Sequence, residues 1–87
     1  MADQTRKVEF FGLSTCGWCR KTKEWLDEHR VRYDVCYMDQ ISGDEREAAK
    51  ARLMEFVPRM SFPVLIIDDG KEVIQGYKPE RFVECLE

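Results

Sequence analysis

Residues 16 to 19 read Cys-Gly-Trp-Cys, directly behind an apolar run at 8–13 and at the head of a stretch with helical periodicity. This junction constrains the fold more than any other feature of the chain. A strand must end where a helix begins, and the two cysteines must lie on that helix's first turn, close enough to form a tight disulfide. The first thiol then meets the unpaired backbone N–H groups and the positive dipole end of the helix. Those groups favour the thiolate, which is the species that attacks disulfides. The pair therefore reads as a dithiol–disulfide exchanger, with Cys16 as the attacking thiol and Cys19, one turn deeper, as the resolving thiol.

The same spacing also opens zinc knuckles, but a zinc site needs a second close pair. Cys36 and Cys85 lie far apart in sequence, on a predicted strand and a predicted helix, and read as buried small hydrophobes. Redox chemistry is the better reading, with no metal and no other cofactor expected. Arg20, Lys21 and Lys23 follow on the same helix and add favourable charge, although side chains this exposed contribute little.

Periodicity around the junction predicts the remaining elements. A buried strand spans 7–13, with Gly12 a weak spot in it. Ser14 and Thr15 offer capping chemistry for a helix over about 17–30. Its inner stripe is Trp18, Thr22, Trp25 and His29, flanked by Cys19 and Leu26. Within that stripe Trp25 reads as core, Trp18 as a partly exposed plate over the sulfurs, and His29 as a solvated residue near the helix end. A second strand over 32–39 carries apolar groups on both faces. Ser42-Gly43-Asp44 turns into a second helix with the stripe Ala49, Leu53, Phe56 and Val57, which Pro58 stops. The charges over 44–55 read as a solvated face.

A third strand over 63–69 is apolar enough to be central, and Asp69-Gly70 reads as a tight hairpin turn into a fourth strand over 71–75. Pro79 suits the first position of a last helix whose buried side is Phe82, Val83 and Leu86. The first three elements make a right-handed βαβ unit and the last two strands a hairpin. The predicted fold is α/β: a four-stranded mixed sheet in the order β-α-β-α-β-β-α, with helices on both faces.

The chain has 87 residues, which allows one domain spanning 1–87. Of these, 44% are hydrophobic and 36% charged, the balance of a soluble globular chain. No apolar run approaches the ~20 residues of a membrane span, and no apolar core follows the first charges to make a signal peptide. A cytoplasmic, monomeric protein is expected, with no membrane attachment. The net charge of −3 gives no basic face and so no reason to expect nucleic acid.

A CxxC beside a βαβ pattern is a thioredoxin-like signature. Three anchors refine it: Cys16-Gly17-Trp18-Cys19, then Ser61-Phe62-Pro63 opening the third strand, then Gln75-Gly76-Tyr77-Lys78-Pro79-Glu80 before the last helix. In that order the chain resembles the glutaredoxin family of the thioredoxin superfamily, and most of all the NrdH-type redoxins, which pass electrons to ribonucleotide reductase. The resemblance implies a thioredoxin-like fold, a redox-active Cys16–Cys19 disulfide, and a cis proline at Pro63 beside it. It also implies a partner surface of Trp18, Phe62, Pro63, Gly76, Tyr77 and Lys78.

Two candidate reductants follow, glutathione or a thioredoxin-type reductase. Glutathione users in the family resemble one another in a basic residue three before the first cysteine and in a Gly-Gly near the last helix. Here those positions hold Leu13 and Gly76-Tyr77, which favours a protein reductase, with Arg59 left as a possible glutathione contact. The expected substrate is a protein disulfide such as that of ribonucleotide reductase. An iron–sulfur carrier is the alternative of a different class.

Overall fold

In the computed structural model, which describes residues 6–86, the first apolar run becomes strand β1 (Val8–Gly12). There follow helix α1 (Gly17–Glu28), strand β2 (Asp34–Tyr37), a 3-10 turn (Met38–Gln40) and helix α2 (Gly43–Phe56). Strand β3 (Val64–Ile67), another 3-10 turn (Asp68–Gly70), strand β4 (Glu72–Gln75) and helix α3 (Pro79–Leu86) complete the chain. The order is the expected one, with strands shorter than the apolar runs that announced them.

The sheet order is β2-β1-β3-β4. β1 and β2 are parallel, with Gly12 opposite Tyr37, and the other two pairings are antiparallel. β3 is therefore interior, and all four of its residues are buried, as an unbroken Val-Leu-Ile-Ile run demands. Alternation along the strands divides the core. On one face Val8, Phe10, Leu65, Ile67 and Ile74 pack with Trp25 and Leu26 of α1 and Phe82 of α3. On the other, Phe11, Val64 and Ile66 pack with Leu53 of α2 and with Val57 just after it. Helices thus cover both faces of the mixed sheet in a thioredoxin-like α/β fold.

Helix α1 stops without a glycine. Arg30 takes the left-handed conformation at φ 57°. Its N–H bonds Asp27 O at 3.1 Å, and the Val31 N–H bonds Leu26 O at 2.9 Å. These two bonds satisfy carbonyls that the helix end leaves open, and Val31 packs on the cluster that holds Leu26. The buried stripe of α1 is Cys19, Thr22, Trp25 and Leu26, whereas Trp18 and His29 at its two ends are exposed. Thr22, fully buried, donates its hydroxyl to Trp18 O at 2.9 Å.

Three further expectations change. In α3 the inward residues are Phe82 and Cys85, while Val83 is exposed, because an inward position recurs three residues after Phe82 and not one. Cys36 is only half-buried, since β2 is an edge strand. And Arg52, in the run expected to be solvated, reaches across to β1. Its Nε and Nη2 donate to the two oxygens of Glu9 at 2.8 and 2.7 Å, a two-point pair that ties α2 to the sheet.

The turn between β3 and β4 is also longer than a two-residue hairpin. Asp68 and Asp69 both adopt left-handed backbone, at φ 53° and 55°, and Gly70 follows at φ 107°. Asp68 accepts the Lys7 N–H at 3.1 Å, and Asp69 accepts Lys7 Nζ at 3.2 Å, so the side chains offset the cost of that backbone conformation locally. A Cβ at Gly70 would lie 2.2 Å from the Phe56 ring. Gly70→Ala is expected to lower stability by about 1–3 kcal/mol through overpacking and a forced positive φ. Denaturant unfolding measures this, and the alkylation rate of Cys16, at the other end of β3, should keep its wild-type value.

Candidate active site at the start of the first helix

Strand β1 ends at Gly12, and the absence of a side chain there lets α1 come down onto the strand. A Cβ on Gly12 would stand 3.1 Å from Cys19 Sγ and 3.2 Å from Cys19 Cβ. The glycine read as a weak spot is thus the seat of Cys19. From Leu13 the chain turns, closed by the Cys16 N–H donating to Leu13 O at 3.1 Å.

Cys16 itself is the N-cap of α1. Its backbone is extended (φ −84°, ψ 122°), and its sulfur accepts the Cys19 N–H at 3.3 Å. Neither Ser14 nor Thr15 fills that role. Ser14 instead gives both of its donors to Asp39 in the 3-10 turn after β2: its N–H to Oδ1 at 2.9 Å and its hydroxyl to Oδ2. The cap is therefore a sulfur, which serves the helix best as an anion.

The two thiols differ in acidity for visible reasons. Partial burial works against ionisation of Cys16, but hydrogen bonds from the Cys19 side chain and from the N–H groups of Cys19 and Trp18 outweigh it, and its pKa is lowered. Cys19 is 1% exposed, and burial pushes its thiol up to about 12. The Leu13 N–H, 3.5 Å from Cys19 Sγ, opposes that rise, whereas the hydrogen bond with Cys16 and the charges of Cys16 and Asp39 add to it. Lys23 pairs with Asp27 at 2.8 Å, and Lys21 Nζ sits 5.8 Å above the Trp18 ring.

Beside this turn lies an open groove of about 230 Å³ lined by Trp18, Phe62, Pro63, Gly76 and Tyr77. The Phe62–Pro63 peptide is cis. Pro63 O accepts the Gly76 N–H at 2.7 Å, which joins the two loops that close the groove, and Gly76 needs its φ of 100° to make that turn. Trp18 is 59% exposed and stacks on Tyr77, with ring centroids 5.7 Å apart and planes 25° from parallel. Tyr77 in turn meets the buried Phe82 edge-on at 5.9 Å.

Of the residues singled out from sequence, Cys16, Cys19 and Trp18 share the first turn of α1, and Phe62, Pro63, Gly76 and Tyr77 come to it. Lys78 is exposed at the start of α3, where its carbonyl accepts from Arg81 and Phe82, and its Cε lies 3.7 Å from where a Cβ on Gly76 would stand. Arg59 stands aside: it is exposed and not in the groove lining, and among the described residues only its carbonyl is engaged, by Gln75 Nε2 at 2.9 Å. Gln75 also bonds Ser61 O at 3.0 Å and so holds the loop that carries Phe62. Sequence reasoning passed over Gln75 and Asp39. Asp39 had a signal, since the end of a strand parallel to β1 must emerge beside the end of β1. Among the described residues no three His, Cys, Asp or Glu side chains gather to hold a metal ion, and no helix is long and apolar enough to cross a membrane.

The glutaredoxin family model matches residues 8–73. Among solved structures, the chain is similar to a glutaredoxin from Methanosarcina mazei Go1, with 42% identity over 90% of this chain and 75% of that one and a TM-score of 0.83. It is similar to methanoredoxin from Methanosarcina acetivorans at 35% identity, covering 92% and 83% of the two chains, TM-score 0.86. NrdH-redoxin from Escherichia coli shares the fold at 18% identity, covering 93% and 96%, with a TM-score of 0.72. No protein with a curated description matches the sequence.

The hydrogen bonds at Cys16 make its acidity depend on Cys19. Alkylation of Cys16 in the reduced protein should titrate below the ~8.5 of a free thiol. Cys19→Ala removes a hydrogen bond that lowers Cys16, so the midpoint should move to higher pH. Alkylation rate against pH, with the label located by mass spectrometry, reads both.

Proposed function

The chain belongs to the glutaredoxin family, and on that basis we propose that it reduces protein disulfides through the Cys16–Cys19 dithiol and is itself reduced by a thioredoxin-type reductase. The observation that carries this reading is the division of acidity between the two thiols, one capping a helix and one sealed under it. In the first step the Cys16 thiolate attacks one sulfur of the partner's disulfide. That S–S bond breaks, the departing partner thiolate takes a proton, and Cys16 is left in a mixed disulfide. Cys19 then gives up its proton and attacks the Cys16 sulfur. The Cys16–Cys19 disulfide forms, and the other partner thiolate leaves and is protonated. The partner has gained two electrons and two protons, and the dithiol has lost them.

The high pKa of Cys19 is compatible with this order. Two of the influences that raise it come from Cys16, as a hydrogen bond and as a charge. Both diminish once the Cys16 sulfur is in a mixed disulfide, so the resolving thiol becomes easier to ionise at the step that needs it.

The choice of reductant rests on the groove. Tyr77 stands where glutathione users carry a second glycine, and its ring is stacked on Trp18. Among the described residues the groove lining holds no cation to meet the two carboxylates of glutathione, although Lys78 lies next to Gly76. An apolar groove of this kind instead suits an extended polypeptide segment. Ribonucleotide reductase, the target that the NrdH resemblance implies, is one such disulfide to offer, and a reducing cytosol is where a working dithiol of this kind belongs.

Two outcomes test the reading. Cys16→Ser should abolish disulfide reduction, whereas Cys19→Ser should still form the mixed disulfide and hold the partner covalently, visible on a non-reducing gel. Turnover of protein disulfides by Cys16→Ser would overturn the assignment. Separately, Trp18→Ala and Tyr77→Ala should each weaken reduction by a thioredoxin-type reductase by about 1–3 kcal/mol in kcat/KM, the size expected for an aromatic contact at a docking site. Efficient turnover with glutathione that falls in Arg59→Ala would instead mark glutathione as the reductant.

A further inference from the structure

Asp39 is neither in the groove lining nor in the CxxC turn, yet it holds the loop that joins β1 to α1. Its two carboxylate oxygens take the backbone N–H and the hydroxyl of Ser14. Ser14 is the residue after Leu13, and Leu13 grips both cysteines: its N–H points at Cys19 Sγ at 3.5 Å, and its carbonyl accepts the Cys16 N–H at 3.1 Å. The clasp thus reaches each thiol through one residue. It is built from the topology, because parallel pairing sets Gly12 opposite Tyr37 and the two chains then leave the sheet side by side.

We propose that Asp39 is a positioning residue of the dithiol, clasping the loop that grips Cys19 and keeping that thiol in reserve while Cys16 reacts. The proposal rests on the dithiol mechanism above. The charge of the carboxylate opposes ionisation of Cys19, and the clasp fixes where the Leu13 N–H, which favours ionisation, meets that sulfur. The charged groups bearing on Cys19 are Cys16 of α1 and Asp39, both of which oppose its ionisation. Hydrogen bonds from Ser14 hold the Asp39 carboxyl below its ordinary range, and the charged group bearing on it, Arg46 of α2, acts in the same direction. Asp39 is therefore charged throughout the range in which the thiols titrate. An Asp39 that only tied the loop together would, when replaced, loosen the Leu13 N–H from Cys19 and move its titration to higher pH, not lower.

The test reads Cys19 by itself, in a Cys16→Ser background, by alkylation rate against pH. This keeps it independent of turnover: loss of the disulfide-reducing activity would overturn the mechanism, while the titration alone decides the role of Asp39. Asp39→Asn keeps the shape and one acceptor oxygen but removes the charge. Its Cys19 midpoint should move to lower pH, and at a fixed, mildly alkaline pH the alkylation rate should rise by about threefold or more, as expected when a nearby like charge is removed. Asp39→Glu, which restores the charge, should bring the midpoint back toward its starting value. Ser14→Ala loosens the clasp and leaves the charge, so the midpoint should not fall. The proposal is overturned if Asp39→Asn leaves the midpoint in place, if Asp39→Glu fails to restore it, or if Ser14→Ala lowers it equally.

Discussion

One hydrogen bond, from the Cys19 N–H to Cys16 Sγ, starts the first helix and at the same time holds the charge of its most acidic thiol. Elsewhere such a cap would be a serine or aspartate and would concern stability alone. Here the acceptor is a sulfur, and its capping strength depends on its chemical state. As a thiolate it accepts the N–H groups of Cys19 and Trp18 strongly; tied into a disulfide it has lost the charge that made it a good acceptor. Lowering the pKa of Cys16 therefore stabilises the reduced form and makes the disulfide a stronger oxidant. The start of α1 and the redox poise of the pair are one quantity.

Keeping Cys19 neutral takes a different device. Its side chain is placed against the bare backbone of Gly12, and the contact works because the strand ends in the one residue without a side chain. The sulfur is then sealed by α1 above and β1 below. Burial, which raises its pKa, is a consequence of how closely the helix approaches the strand. Two cysteines three positions apart thus acquire opposite properties from one turn of helix: Cys16 faces out past the helix start, and Cys19 faces down into the packing.

How much of this was legible in the sequence depended on whether a feature was local or needed the folded chain. The strand–helix junction, the central Val64–Ile67 run, the stop at Pro58 and the cis Phe62–Pro63 bond follow from short motifs, and the structure has each of them. The loop anchors carrying Trp18, Phe62, Pro63, Gly76 and Tyr77 were likewise readable, and they converge on one groove. The failures share a cause, which is competition from a distant partner. Ser14 has good capping chemistry, but Asp39 takes its hydroxyl and N–H. Arg52 reads as solvated because Glu9, its two-point partner, is on another element. Asp69-Gly70 has the sequence of a tight turn, but Lys7 and Arg52 draw Asp69 into a longer one. Asp39 and Gln75 carry no local motif at all; their importance is created by parallel pairing and by the return of β4.

The groove has one wall tied to the core and one that is largely exposed, and this follows from the aromatic contacts behind it. Tyr77 packs edge-on against Phe82, which is fully buried and itself touches Trp25, so one side of the groove is continuous with the core. Trp18 is anchored differently. More than half exposed, it is held by the stack on Tyr77 and by Lys21 above its outer face. Interactions of that kind at an exposed site are worth about 0.5–1.5 kcal/mol each, little against the contacts a docking partner brings. On the proposed reading, a partner segment that re-stacked Trp18 would leave the core undisturbed, because Tyr77 and the Pro63–Gly76 hydrogen bond hold the opposite side. Because Trp18 sits between Cys16 and Cys19 in the chain, whatever moves its ring is felt on the same helical turn that sets their acidity, and its own N–H is one of the donors to the Cys16 sulfur. On the proposed reading, docking and thiol chemistry are in this way joined through a single residue of the tetrad.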